Sequence, residues 1–311
     1  MSSNIFTLEE KQVLIYGAPG TGKSYQLNRT ISEHGIDTKR VVRVVFHKDF
    51  SYSDFVGYVS PQCSNSENIN YAFKAGAFSK ALRLAFESEE PICLVIEELN
   101  RGNAAAVFGD IFQLLDRNPD GKSSYSIINR DVRAFIDKNA DAAKTIESYN
   151  IGEDDIILPS NFYIIATMNT ADQNVFTVDS AFKRRFIMRY MPLIFNESES
   201  HLSYLNRLSK FNVFDGKHTW SEFAKMVNFI IDEINYEIIS ISEDKKIGPY
   251  FVDEIDISCK QSFCDKVILY LKNDVFKYCD SVLNLAYEDI YREYVENGVD
   301  IFTFFKESEE E

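Results

Sequence analysis

The stretch that decides the fold runs Val13-Leu14-Ile15-Tyr16-Gly17-Ala18-Pro19-Gly20-Thr21-Gly22-Lys23-Ser24. Four apolar residues lead straight into the pattern G-x-x-x-x-G-K-[ST], a phosphate-binding loop set between a strand and a helix. Glycines let the backbone wrap closely round an anion with its N–H groups turned inward. Lys23 is expected to reach the β- and γ-phosphate oxygens, and the Ser24 hydroxyl to ligate Mg²⁺. The helix that begins there adds the positive end of its dipole. The cofactor-binding set is thus Gly17, Ala18, Pro19, Gly20, Thr21, Gly22, Lys23 and Ser24, with Tyr25 next in the chain.

Outward from this loop, short β-branched-rich runs recur at Val41–Phe46, Ile92–Ile96 and Phe162–Thr167. Each suits a strand buried on both faces. Helical stretches are expected over Lys23–Ser32, Gly76–Ser88 and Ala104–Asp116. The alternation predicts an α/β fold, a parallel sheet with crossover helices on both sides. Residues 117–157 are rich in Asn, Asp, Ser and Gly and read as an inserted hairpin and loop, with a β-like piece at Ser124–Ile128. Beyond Pro192 the texture becomes helical. Apolar stripes such as Phe223, Val227, Ile230, Ile231 and Ile234, then Val267, Ile268, Leu271 and Val275, are expected to face a core. A boundary near residue 193 divides a nucleotide-binding domain, 1–192, from a smaller helical lid, 193–311.

Composition bounds the partners. The 311 residues carry 33 basic and 48 acidic side chains, a net charge of −15. A protein that grips DNA alone usually shows a basic face. DNA contact would therefore need a local basic patch or another subunit. The acidic tail Glu307-Ser308-Glu309-Glu310-Glu311 reads as a frayed, solvated end. No apolar run approaches the ~18–20 residues of a membrane span. The N-terminus lacks the basic and apolar regions of a secretion signal. The five cysteines include no C-x-x-C pair, which points to a reducing cytoplasm with Cys93 and Cys279 as buried thiols.

Phosphoryl transfer needs a metal site, an oriented water and positive charge on the γ-phosphate. The run Ile92–Ile96 ends in Glu97-Glu98. Glu97 is the candidate to hold Mg²⁺ through its water shell, where Asp is more usual, and Glu98 the candidate to polarise the attacking water. Asn169, at the end of the next apolar run, is placed to sense the γ-phosphate. Asp179-Ser180-Ala181-Phe182-Lys183-Arg184-Arg185-Phe186 reads as a short helix ending in cations. In a ring of identical subunits, Arg184 or Arg185 would serve a neighbour's nucleotide as an arginine finger.

The order phosphate loop, Glu-Glu, Asn, Arg-Arg and helical lid resembles the AAA+ ring ATPases, which implies a three-layer αβα domain followed by a small all-helical lid. Phe46-His47-Lys48-Asp49-Phe50-Ser51-Tyr52-Ser53-Asp54-Phe55 resembles the F-H-x-x-x-x-Y-x-D-F segment of the McrB family. Glu97-Glu98-Leu99-Asn100-Arg101-Gly102-Asn103 and Met168-Asn169-Thr170-Ala171-Asp172 resemble two further blocks of that family, and Ile247-Gly248-Pro249-Tyr250-Phe251 resembles part of its lid. The likeness implies a GTP- or ATP-driven motor, a hexameric ring with Mg²⁺ at its subunit joints. It implies a separate McrC-like nuclease partner in an antiviral restriction system. It also implies that Arg101 reaches an adjacent subunit's nucleotide and that Asp172 organises the catalytic water or the subunit joint. Tyr52, Asp54 and Phe55 are equally consistent with packing and with a partner contact.

Four departures are visible. Gln173 stands where the best-known members have Arg, and the lid piece has one residue fewer between Gly248 and Tyr250. No clear sensor-2 arginine stands in the lid, so either Lys245 or Lys246 substitutes for it or nothing does. The chain opens shortly before Gly17, so the methyl-DNA reader domain of family members is expected to lie outside it. Two rival readings share the same engine: a MoxR-like remodelling ATPase acting on protein, and a nucleotide-gated scaffold with negligible turnover.

Overall fold

The computed structural model describes residues 4–63, 69–170, 176–195, 199–210, 218–237, 241, 245–277, 279 and 286–297. They form two compact units. Residues 4–16 and 24–190 make an α/β unit; residues 17–23 group with the described residues from 191 onward.

In the α/β unit, strand β1 (Gln12–Gly17) leads through the glycine loop to helix α1 (Lys23–Glu33). Then come β2 (Val41–Val45), the single turn α2 (Tyr52–Phe55), the hairpin β3 (Gly57–Cys63) and β4 (Ile69–Ala75), and α3 (Ala77–Glu87). Strand β5 (Ile92–Glu97) follows, then α4 (Ala104–Phe108), β6 (Ile127–Ile128), α5 (Arg130–Asp137), α6 (Ala140–Glu147) and β7 (Asp155–Ile156). The unit closes with β8 (Phe162–Asn169), α7 (Ser180–Lys183) and β9 (Ile187–Tyr190).

Five strands build a parallel sheet in the order β2-β5-β8-β1-β9. In β5 and β8 every side chain is buried up to the last residue, where Glu97 and Asn169 emerge. Strands sandwiched between helix layers must be apolar on both faces. Burial therefore stops where the chain leaves the sheet's carboxyl edge, which is where polar groups can gather.

The four strands expected from sequence all form, each within two residues of its expected end. The fifth, β9, was not foreseen: Ile187-Met188-Arg189-Tyr190 is partly exposed and lacks a long apolar run. The helix expected over Ala104–Asp116 breaks at Gly109, whose φ of 51° turns the chain into a 3₁₀ segment, Gly109–Leu115. A Cβ there would sit 2.9 Å from the Tyr52 ring. The expected hairpin at 117–157 is a different structure. Its pairing is one antiparallel bridge, Arg117 with Ser123, and the two pairs of β6 with β7, and helices α5 and α6 lie between those two strands. Asn129 and Asn139 cap these helices by accepting backbone N–H groups. Asn-rich composition there signalled helix starts and was read as loop.

The segment after β2 is packing. Phe46 and Phe55 are fully buried and meet edge to face at 5.6 Å, and Phe55 also meets Phe108 at 4.9 Å. Asp54 completes a capping box with Ser51. The Tyr52 hydroxyl accepts from Asn129 Nδ2 at 3.1 Å, and burial with Asp110 alongside pushes its pKa up. Phe55→Ala is expected to cost about 3–5 kcal/mol, as large aromatic cavities do. A urea unfolding midpoint unchanged from wild type would contradict this.

In the second unit, α8 (Glu199–Leu208), α9 (Trp220–Glu237), α10 (Lys260–Phe263) and α11 (Tyr287–Tyr291) surround a separate core. Phe223, Val227, Ile231, Val267, Ile268 and Leu271 are buried there, as their spacing predicts. Among the described residues no helix is long and apolar enough to cross a membrane. Cys93 and Cys279 are buried free thiols, and desolvation raises the Cys93 pKa to about 12.

Candidate functional site

The glycine loop takes the conformation its composition requires. Gly20 and Gly22 have φ of 73° and 84°, which L-residues rarely adopt. Lys23 is buried, and its ammonium donates to the carbonyls of Gly17 at 3.0 Å and Ala18 at 2.8 Å. The loop thus holds a buried cation in a nest of its own carbonyls, and a phosphate would compete for it. Ser24 and Tyr25 are exposed at the start of α1.

At the carboxyl edge of the sheet, three of the expected groups meet. Asn169 Nδ2 donates to Glu98 Oε1 at 2.8 Å, and Arg101 Nε lies 3.1 Å from Glu98 Oε2. The Glu98 backbone is left-handed, φ 56° and ψ 44°. That conformation costs a non-glycine residue of order 1–3 kcal/mol and persists where the surroundings over-determine it. Here it lifts the carboxylate off the end of β5 toward β8. Arg101 faces its own chain's Glu98, where the family resemblance implied a contact with an adjacent subunit.

Asn100 was not singled out from sequence. It is buried, and its Nδ2 donates to the Asn169 carbonyl at 2.7 Å. Its own carbonyl accepts from Phe176 N at 2.8 Å. It ties the end of β8 to the turn after β5. Its place directly after the Glu97-Glu98 pair was the available signal.

Glu97 has a partner the sequence did not suggest. Arg43, on β2, donates through Nη1 to Glu97 Oε1 and through Nη2 to Asn28 Oδ1. Neighbouring strands bring them together, since Val45 is in register with Glu97. No group of three or more His, Cys, Asp or Glu side chains that could hold a metal occurs among the described residues. Mg²⁺ does not need one: it keeps several waters and binds through one or two protein oxygens plus substrate phosphates. One hydroxyl, Ser24, and one carboxylate, Glu97, fit that requirement.

The cation pair divides. Arg185 is held at home: it pairs with Asp116 at 2.7 Å, donates to the Ala181 carbonyl at 3.0 Å, and lies 4.0 Å over the Phe112 ring. Its backbone carbonyl accepts from Gln12 Nε2 at 2.7 Å. Arg184 is exposed. Both follow α7, just before Ile187 pairs with Val13, and so stand at the amino edge of the sheet. An open cleft of about 870 Å³ runs along that edge, lined among others by Lys11, Asp116, Arg117, Asp120, Arg184 and Arg185. Arg117 closes its floor, donating to Gln12 Oε1 at 2.6 Å and to the carbonyls of Gly121 and Phe162.

Asp172 lies outside the described residues, as do Gln173 and the acidic tail. Of the two lid cations considered, Lys246 pairs with Asp232 at 2.6 Å, and the Lys245 carbonyl accepts from the Tyr270 hydroxyl at 3.1 Å.

Residues 12–186 match the AAA domain, dynein-related subfamily. Over 321 aligned positions the chain is 34% identical to the type II restriction enzyme BsuMI component YdiS of Bacillus subtilis (strain 168), covering 94% of this chain and 87% of that protein. It is 29% identical over 180 positions to the type IV methyl-directed restriction enzyme EcoKMcrB subunit of Escherichia coli (strain K12). That match spans 57% of this chain and 34% of that subunit. A phosphate-binding loop, a five-stranded parallel sheet and a helical region after it thus stand together with these likenesses, and the chain belongs to the AAA family, dynein-related subfamily, as a homologue of YdiS and of the EcoKMcrB subunit.

Proposed function

We propose that this chain is a McrB-like NTPase that assembles into a hexameric ring in the cytoplasm and hydrolyses GTP or ATP with Mg²⁺. The ring drives a separate McrC-like nuclease in a restriction system, and DNA is met through that partner or a reader domain. The contact between Asn169 and a left-handed Glu98 carries the reading. A strained acid braced by a neutral amide is a pre-set water-activating pair, and plain strand ends have no use for the strain.

In the proposed chemistry the loop amides and Lys23 hold the phosphates, and Ser24 and Glu97 would hold Mg²⁺, which would supply positive charge to the phosphates. Glu98 takes the proton from the attacking water while Asn169 fixes its direction. The phosphoanhydride bond then breaks, and the leaving diphosphate keeps its electron pair. Arg184 supplies charge to the γ-phosphate of another copy. Its place supports this: β5 has six residues, about 20 Å of strand, between the amino edge and Glu98. Arg185, bound to Asp116, keeps the turn that presents Arg184.

Sizing with GTP and ATP analogues in parallel tests the ring and the base together. A shift to hexameric mass with one or both is expected, and no shift for Lys23→Ala, which should also abolish nucleotide binding. A protein that stays monomeric with every analogue yet hydrolyses at full rate would overturn the proposal.

A further inference from the structure

The segment Ile247-Gly248-Pro249-Tyr250-Phe251 lies directly on the glycine loop. Gly248 N donates to the Pro19 carbonyl at 3.1 Å and Tyr250 N to the Gly20 carbonyl at 2.8 Å. The approach is as close as backbone allows. A Cβ on Gly248 would lie 2.3 Å from Gly20 O, and one on Gly20 would lie 2.6 Å from Phe251 N. Tyr250 covers Gly22, whose added Cβ would meet the ring at 2.9 Å.

This strap is itself clamped by helix α9. Asn228, buried, donates to the Ile247 carbonyl at 2.9 Å and accepts from Ile247 N at 2.7 Å, using both ends of its amide on one residue. Trp220, also buried, donates from Nε1 to the Pro249 carbonyl at 3.0 Å, and its ring stacks on Phe251 at 6.4 Å. Pro249, between the two donating N–H groups, has a fixed φ and needs no donor partner of its own. Asn228 and Trp220, both buried, thus hold the strap from α9 while its own N–H groups hold the loop.

The consequence follows from peptide planarity. In a trans peptide the carbonyl and the following N–H point in opposite directions. With the Pro19 and Gly20 carbonyls fixed on the strap, the N–H groups of Gly20 and Thr21 are turned to the opposite face of the loop. Those amides form part of the nest that an anion would enter. We infer that the strap pre-sets the loop for phosphate, and that Asn228, Trp220 and Gly248 are positioning residues for binding a nucleoside triphosphate's phosphates. This rests on the nucleotide-binding reading above.

The test uses Trp220→Phe, which keeps an aromatic ring but removes the indole N–H and part of the buried ring volume, together with Asn228→Ala and Gly248→Ala. Affinity is measured calorimetrically for ATP, for GTP and for inorganic tripolyphosphate, which has no base. Each variant should lose about tenfold in affinity for tripolyphosphate and for the nucleotide alike, the loss typical of one hydrogen bond to a charged group. The double variant Trp220→Phe/Gly248→Ala should fall well short of the sum, because both act through one strap. Trp220→Phe should unfold within a few degrees of wild type, separating positioning from folding. Unchanged tripolyphosphate affinity in folded Trp220→Phe and Gly248→Ala would overturn the inference, and so would a loss confined to the nucleotides. Wild type that binds none of the probes would instead overturn the nucleotide-binding reading itself.

Discussion

Glu98→Gln is expected to leave nucleotide affinity within about threefold of wild type and to cut turnover by about 10²–10⁴, the range of a positioned general base. Glutamine keeps the length of the side chain, and its amide oxygen still accepts from Asn169 Nδ2. What is lost is the negative charge and the ability to take a proton. The backbone strain at Glu98 should persist, since Gln is no better suited than Glu to φ 56°. Single-turnover hydrolysis with preloaded nucleotide isolates the chemical step from binding. Turnover that survives the substitution would remove Glu98 from its assigned role and shift attention to another base. Asn169→Ala should show the same pattern with a smaller loss, because it directs the water and does not deprotonate it.

Arg184→Ala should cost about 10³–10⁵ in turnover, the span for an arginine finger, while a monomeric protomer binds nucleotide normally. The sheet geometry makes a sharp contrast with its neighbour. Arg185 is nearly buried, with Asp116 and the Phe112 face as partners, so Arg185→Ala should act first on stability. Asp116 is itself partly exposed, so water softens that penalty to less than the ~3–5 kcal/mol of a fully buried broken pair. Mixing Arg184→Ala with Glu98→Gln protomers is the decisive measurement. Each single variant should be inactive, and mixed rings should regain activity at joints where an intact acid meets an intact arginine. Mixtures that remain silent, from chains shown to co-assemble, would mean that Arg184 does not act across a joint.

Legibility differed by element. β1, β5 and β8 were readable because a strand covered on both faces admits almost nothing but apolar residues, and Val, Ile and Leu announce it; β2, expected to be buried too, is an edge strand with Arg43 and Val45 exposed, and its four valines alone made it readable. Strand β9 was hidden because it lies at the sheet's edge, where Arg189 and Tyr190 are tolerated. The β3–β4 hairpin was hidden for a similar reason: Tyr58, Val59 and Tyr71 are exposed, so no buried stripe marks it. Helices α5 and α6 were missed because their caps look like loop composition.

By itself the sequence determined the glycine loop, the buried strands and the acids that end them, since each depends on the local needs of a few consecutive residues. Only the tertiary structure decided partners: Arg43 with Glu97, Arg185 with Asp116, Asn100 under Asn169, and the strap on the loop. The physical reason is separation along the chain. Local conformation is set by neighbours in sequence, whereas the register of strands and the seating of distant segments fix which charges and amides meet.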